Sequence, residues 1–451
     1  NLSSEANPYF LFPQIYNFRY NIFSSEWPVA NRVIELYLQK KSENGGWERQ
    51  INGISNNEKA VLLLEKRTFK ELLVDMELRN LQNNIVGQEA SRLFARAEIN
   101  MGVEAFRDSL YSLLKRNTFL NIKFENMLDT LGEISRTDIR SLLGEWEKTT
   151  PLPFYSLGEP TLTKITNKGG EEFFVLKMLI SNNSDYDGII HMDIRKDGWW
   201  YQPLEDPRAK TKIEMPAHTS KEFVSVWEDQ IRNVEINTMV SGNLPNIISQ
   251  DINNVKQERN KIVKDSIYIL PESSFDLPGE IIVDNEDSTL FILSAPPIVG
   301  LLPKWLDEVE ETPFKYSGIS WWRPPLQWTA TTNDRYYGKY IRSAFVIKSG
   351  DGSQTATWKV PVPEVGQYDL YYHVFKDDEL RWNNNLQGEY HFKVKYGSEV
   401  EDAYVNLRKA NEGWEQLGSY YFDSDTVRVV LTDECKLRSV TADAVKIVKR
   451  Y

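Results

Sequence analysis

Ala356-Thr357-Trp358-Lys359-Val360-Pro361, Gly366-Gln367-Tyr368, Gly413-Trp414-Glu415-Gln416-Leu417-Gly418 and Thr441-Ala442-Asp443-Ala444-Val445 are the words of the chain that decide its fold. Around them apolar and polar residues alternate. Tyr368, Leu370, Tyr372 and Val374 share one parity, as do Tyr390, Phe392, Val394 and Tyr396, and again Val427, Val429 and Leu431. A period of two places every second side chain on one face of a strand, and glycine marks the turns between strands. The stretch from 313 to 451 therefore reads as a compact β-sandwich, with Trp358 and Trp414 expected in its core. None of these words is a nucleophile, a phosphate loop or a metal cage.

Working back toward the start, the pattern changes. From about 27 to 150 the apolar residues recur at helical spacing, as in Phe106, Leu110, Leu113 and Leu114. Phe124, Met127, Leu128 and Leu131 repeat the stripe, and so do Ile139, Leu142, Leu143 and Trp146. Ser135 has the chemistry of an N-cap for the last of these. Pro151-Leu152-Pro153 then stops helix formation, because proline lacks the amide donor and restricts the residue before it. From 154 onward short period-two segments predict a second β-sandwich, beginning with Glu172 to Ser181. The polar residues 246 to 265 read as a loop or short helix. The expected architecture is a multidomain α+β chain: a helical domain over 1–153, an immunoglobulin-like sandwich over 154–290, a linker over 291–312, and a jelly-roll-like sandwich over 313–451.

The bulk properties narrow the function. The chain has 451 residues, of which 41% are hydrophobic and 12% aromatic, enough for each domain to bury a core. A net charge of -12 argues against nucleic acid as the main partner, which needs a basic face, and disfavours a polybasic membrane-surface mode. A lone Cys435 forbids an intrachain disulfide, which fits the cytoplasm and equally fits an extracytoplasmic bacterial protein built without disulfides. No apolar run approaches the roughly 18 residues a membrane span requires. The start at Asn1, with neither methionine nor a signal peptide, reads as a segment of a longer polypeptide.

Ala356-x-Trp358-x-Val360-Pro361, Gly366-x-Tyr368, Tyr396-Gly397, Gly413-Trp414 with Leu417-Gly418, and Ala442-Asp443-Ala444-Val445 together resemble the golvesin C-terminal-like family, described as similar to a xanthan-lyase carbohydrate-binding module. The resemblance covers about 313–451. It implies a β-sandwich appended to bacterial extracellular proteins, with sugar recognition as its expected role. A second resemblance covers about 20–290. Gly102-Val103-Glu104-Ala105-Phe106, Phe124, the Ile139–Trp146 stripe and the strands after it look like the helical and β tail that follows a gluzincin aminopeptidase domain in permease-fused bacterial proteins. That likeness brings no catalytic residue, because none of the four histidines, His191, His218, His373 and His391, is followed by glutamate or lies four residues from another.

A sugar-binding face needs exposed flat aromatics beside hydroxyl-pairing groups. Trp321, Trp322, Arg323, Tyr336, Tyr337, Arg381, Trp382 and Asn383 supply them from loops. Asp443 is expected to satisfy local backbone donors. The acidic string Asp284-Asn285-Glu286-Asp287 is the best candidate for calcium, through Asp284, Glu286 and Asp287. Phosphate-loop and nucleophile-elbow motifs are absent, and Trp322 in Gly318-Ile319-Ser320-Trp321-Trp322 occupies the place where an elbow needs glycine. Asp433 and Glu434 oppose activation of Cys435. With 65 acidic residues, some pair meets the spacing of a glycosidase by chance.

The expectation is thus a non-catalytic, extracytoplasmic segment of a larger bacterial protein. Its last domain would recognise a glycan or a cell-envelope component. The alternative is a structural, partner-binding tail of a membrane-anchored zinc-aminopeptidase-like protein, packing on upstream domains of the same polypeptide.

Overall fold

The computed structural model describes residues 21–39, 45–166, 169–196, 202–252, 254–259, 263–271, 275, 279–294, 314–320, 322–376 and 388–450. The chain divides into two compact units. One comprises Asn1–Asn44 and Asn56–Ser274; the other comprises Gly45–Ser55 and Phe275–Tyr451.

In the first unit the helices Ala30–Leu38, Asn56–Lys66, Phe69–Val74, Gln82–Met101, Val103–Arg116 and Phe124–Ser135 pack around one core. The expected stripes all face inward, with Phe106, Leu110, Phe124, Met127, Leu131 and Ile139 buried. Trp146 closes the core edge-on against Trp27 at 5.0 Å and Phe69 at 4.9 Å. A Thr68–Glu71 capping box starts the Phe69–Val74 helix.

Ser135 is not the N-cap expected of it. It ends the preceding helix, where its hydroxyl donates to the Leu131 carbonyl at 2.8 Å and Arg136 turns left-handed at φ 54°. Asp138 instead receives the Ser141 amide at 3.1 Å, and the stripe that follows is a 3-10 segment, Arg140–Glu147. A side chain that can accept an amide is equally able to bond back to its own helix, and sequence spacing does not separate the two.

The same unit carries two facing sheets. One has the order Val255–Arg259, Thr161–Thr166, Glu172–Asn182, Thr219–Trp227, Ser266–Pro271, with Tyr155–Leu157 also on Glu172–Asn182. The other has the order Ile247–Asp251, Ile231–Asn237, Gly188–Lys196, Gln202–Pro203, with Lys210–Met215 also on Gly188–Lys196. Among the described residues, 246 to 265 are therefore not a single loop or short helix. Ile247–Asp251 and the polar Val255–Arg259 are strands, the second pairing in parallel with Thr161–Thr166. An edge strand held by backbone hydrogen bonds needs no apolar pattern, so hydropathy does not reveal it. Asn243 clamps Tyr155 through both backbone groups, accepting from its N–H at 2.9 Å and donating to its carbonyl at 2.8 Å.

The helices and these sheets are one unit rather than two. Glu98 of the long helix is ion-paired with Lys212 of a strand, both side chains being buried, and accepts from the Tyr37 hydroxyl at 2.8 Å. Glu58 accepts the Asn246 amide at 3.0 Å.

In the second unit three sheets surround one core. The four-stranded sheet has the order Glu280–Val283, Val445–Lys449, Gly366–Val374, Gly413–Phe422. The five-stranded sheet has the order Phe291–Ser294, Thr355–Pro361, Thr426–Thr432, Glu389–Tyr396, Glu399–Asn406. Thr329–Thr332, Ser343–Lys348 and Ser439–Ala442 form the third. The three alternating runs of the sequence analysis line this core, and Trp358 is wholly buried with its indole N–H donating to the Asp443 carbonyl at 3.2 Å. Glu280–Val283 and Phe291–Ser294 belong here, not to a central sandwich and a linker. The first pairs with Val445–Lys449 and buries Val283; the second pairs with Thr355–Pro361 and buries Phe291. Helix Gly46–Asn52 also belongs to this unit, where the Thr332 hydroxyl donates to the Gly53 carbonyl at 2.6 Å. Gly318 lies so close that a Cβ would stand 1.9 Å from the Ile51 carbonyl oxygen.

Candidate functional site

The four-stranded sheet of the second unit has one face on the core and one face outward. Tyr368, Leu370, Tyr372 and Val374 point in, so Tyr371 and His373 point out. The neighbouring Gly413–Phe422 strand has Tyr420 and Phe422 inward, and simple alternation would bury Trp414 as well. A bulge intervenes: Leu370 pairs with Gly418 but Tyr371 with Gln416. The extra residue, Leu417, packs toward the core and reverses the parity, which carries Gln416 and Trp414 to the outer face. Trp414 is thus not the core residue that its strand position implied.

On that face His373 pairs directly with Trp414, and Tyr371 with Lys446. The His373 and Trp414 rings meet at 5.2 Å and Tyr337 joins them at 5.8 and 5.1 Å. Lys446 Nζ lies 4.8 Å from the Trp414 ring and 5.3 Å from the Tyr371 ring, in cation–π range of both, and is held by Glu280 at 3.1 Å. Beneath them Asp443 is fully buried. Its Oδ2 lies 2.9 Å from His373 Nδ1, and both its oxygens accept the Tyr337 amide at 3.2 Å. Asp443 does satisfy a backbone donor, though one from a residue far along the chain. Burial raises its carboxyl above the ordinary range, and the charge of His373 opposes that rise. Beside the aromatics Asp369 receives Gln416 at 3.1 Å and Arg450 at 2.8 Å. The patch combines flat rings with bonded polar groups, which suits a ligand with both apolar faces and hydroxyls.

Of the expected ligand residues, Tyr337 alone reaches this cluster among those described. Tyr336 is buried against Phe375 at 4.5 Å and offers no surface, because successive residues of the turn face opposite ways. Trp322 is 82% exposed, with the Arg438 guanidinium 4.9 Å from its ring. Arg323 is exposed next to it, its amide bonded to Ser320. Trp321, Arg381, Trp382 and Asn383 lie outside the described residues. Tyr371, His373, Trp414 and Lys446 were missed. His373 and Tyr371 were readable as the odd positions of an even-buried strand, whereas Trp414 required the bulge.

The expected calcium ligands have other work. Asp287 accepts the Asp284 amide at 2.8 Å, and Asp284 accepts the Asn285 amide at 2.7 Å. Glu286 holds Lys315 at 2.5 Å and the Tyr316 hydroxyl at 3.1 Å. Among the described residues no group of three or more His, Cys, Asp or Glu side chains converges as a metal ion would need. The carboxylates close a turn instead. Burial, with the nearby charge of Asp443, pushes the Asp284 carboxyl well above its ordinary value.

The other histidines are engaged locally. His191 falls to about 4 through burial and then the charge of Lys212. His218 lies 2.8 Å from Asp185, and His391 stacks on Tyr404 between Asp402 and Glu434. Burial raises the Cys435 thiol, against activation.

The class of the C-terminal part now follows. Residues 324–449 match the Golvesin C-terminal domain, the family that the strand words resemble. The match starts after Glu280–Val283 and Phe291–Ser294, the strands that complete two of the sheets. No curated protein matches the chain. Similar solved structures include a Bacteroides uniformis beta-glucuronidase, 11% identical, covering 66% of this chain and 30% of that one with a TM-score of 0.19. Beta-glucuronidase 2 of the same organism, bound covalently to cyclophellitol-6-carboxylate aziridine, is 9% identical over 77% of this chain and 38% of its own, with a TM-score of 0.18. The Sulfolobus Turreted Icosahedral Virus structure is 8% identical over 68% and 97%, with a TM-score of 0.14. The chain spans between 30% and 38% of the two glucuronidases' lengths, and superpositions this loose carry no argument about either fold or activity. The peptidase-tail resemblance of residues 20–290 gains no support from these comparisons.

Proposed function

We propose that this chain is a non-catalytic, extracytoplasmic segment of a bacterial protein whose C-terminal domain binds a glycan of the cell envelope. The ligand sits on the outer face of the four-stranded sheet. Its pyranose C–H faces lie on Trp414 and Tyr337, while its hydroxyls meet His373 and Gln416. The domain is a jelly-roll-like sandwich, and the upstream pair of sheets an immunoglobulin-like one. The observation that carries the reading is the bulge that turns Trp414 outward into contact with His373, Tyr337 and Lys446. An aromatic group brought to a sheet face beside bonded polar groups suits sugar recognition. The Golvesin C-terminal domain match and the carbohydrate-binding-like character it suggests point the same way. Among the described residues no helix is long and apolar enough to cross a membrane.

Affinity electrophoresis of the full chain through a panel of envelope polysaccharides tests the proposal. At least one polysaccharide retards the chain, and Trp414→Ala weakens the retardation about tenfold, the value of a lost stacking ring. Free migration through the whole panel, or retardation unchanged in Trp414→Ala, rejects it.

A further inference from the structure

We infer that the turn between helix Val103–Arg116 and strand Asn121–Lys123 is a docking tip for an anionic lipid surface. Phe119 is 80% exposed and Leu120 55%, at the apex of the turn, and Phe23 of the paired strand Asn21–Phe23 is 46% exposed. Phe119 is held at φ 64°, a left-handed conformation that a bulky residue adopts against its own sterics. The turn is fixed there by the Leu120 amide donating to the Asn117 carbonyl at 3.0 Å and the Thr118 hydroxyl to the Lys115 carbonyl at 2.6 Å. The apolar pair is therefore displayed by a built turn, away from the helical core.

The charge around the apex names the partner. From Lys115 to Phe124 the sequence holds Lys115, Arg116 and Lys123 and no acidic residue, in a chain with 65 of them. Lys115 and Arg116 are exposed at the helix end, and Lys123 is about half exposed, in a loose 4.0 Å ion pair with the largely buried Glu125. Two exposed apolar side chains on one turn offer far less area than the roughly 800 Å² per partner that a stable protein interface buries. A bilayer interface accepts them without a pocket: the apolar residues enter the acyl boundary while the cations stay with anionic headgroups. The chain's overall negative charge, which disfavours a polybasic mode, is screened beyond about a Debye length, so the local cations and apolar pair decide the contact at the tip.

Co-sedimentation of the full chain with phosphatidylcholine vesicles, with and without phosphatidylglycerol, tests the inference. Binding to the anionic vesicles is expected, weakened by salt. Phe119→Asn with Leu120→Ser lowers partitioning by roughly tenfold or more, the loss of burying apolar side chains. Asparagine tolerates the left-handed backbone, so the turn persists. Lys115→Gln and Lys123→Gln each lower binding about fivefold, as loss of one headgroup-facing cation should. Absence of binding, equal binding to purely zwitterionic vesicles, or binding untouched by the tip variants overturns it. So does a concentration-dependent dimer in sedimentation velocity that the tip variants abolish, which would assign the patch to a second copy of the chain.

Discussion

His373 Nδ1 lies 2.9 Å from Oδ2 of Asp443, a carboxylate with no exposed surface that also receives the Tyr337 amide on both oxygens. One buried acid thus fixes two members of the outer aromatic group from below. It reaches them from the closing Ala442-Asp443-Ala444-Val445 word, so the end of the chain positions the face. Asp443→Asn keeps an acceptor for Tyr337 and loses the charge opposite His373. We expect a loss of about 1 to 3 kcal/mol in the second unit's stability, the range for disturbing a buried charged hydrogen bond. Glycan retardation falls with it, since the His373 ring loses its charged anchor. Urea unfolding followed by tryptophan fluorescence measures the first effect and affinity electrophoresis the second.

Asp284 gives a pH dependence. Its folded carboxyl is raised well above the ordinary value by burial, the charge of Asp443, and the charges of Glu286 and Asp287. The folded state therefore holds the proton more tightly than the unfolded chain. The sign follows: this group favours folding at low pH, and the contribution is lost as pH rises from the unfolded value through the folded one. At neutral pH it is a cost. Asp284→Asn keeps the acceptor for the Asn285 amide and removes the charge, so the variant melts higher than the parent at pH 7, and the difference closes as pH falls toward the ordinary aspartate range. Calorimetry across pH checks this, and a variant that melts lower at pH 7 refutes it.

The helical stripes and the even-parity strands were legible because each rests on a period that burial enforces. Phe106, Phe124, Phe392 and Val429 all lie where their spacing put them. What escaped was set by backbone hydrogen bonding or by a single inserted residue. Val255–Arg259 is a polar strand with no apolar face to betray it, and Glu280–Val283 joins a strand more than 160 residues later. The site shows the same division. Tyr337 was visible as an aromatic in a turn, but its partner Trp414 changes face only because Leu417 is extra. No periodicity carries that information, since a bulge is where periodicity stops.

The junction of helices and strands in the first unit rests on the buried pair Glu98–Lys212, whose side chains are 2% and 9% exposed. Removing one partner leaves the other charge desolvated. Lys212→Met is expected to cost about 3 to 5 kcal/mol. Glu98→Gln costs less, because an amide still accepts from the Tyr37 hydroxyl. The double variant loses less than the sum of the two, as no uncompensated charge remains. A double-mutant cycle by urea unfolding measures the coupling, and strict additivity would show that the two charges do not sense each other.

Two tryptophans of the second unit separate fold from face. Trp358 is wholly buried beside Phe291 and Tyr372, and its indole N–H is bonded to the Asp443 carbonyl. Trp358→Ala empties that volume and orphans the acceptor, for an expected loss of about 3 to 5 kcal/mol. Trp414→Ala forfeits only surface contacts with His373, Tyr337 and Lys446, worth about 1 kcal/mol in stability. The parity reversal at Leu417 is what makes the two so different, and it is open to direct test. Unfolding midpoints in urea should fall sharply for the first variant and slightly for the second. Equal losses would mean that Trp414 belongs to the core after all, and the face proposed for the ligand would have no aromatic centre.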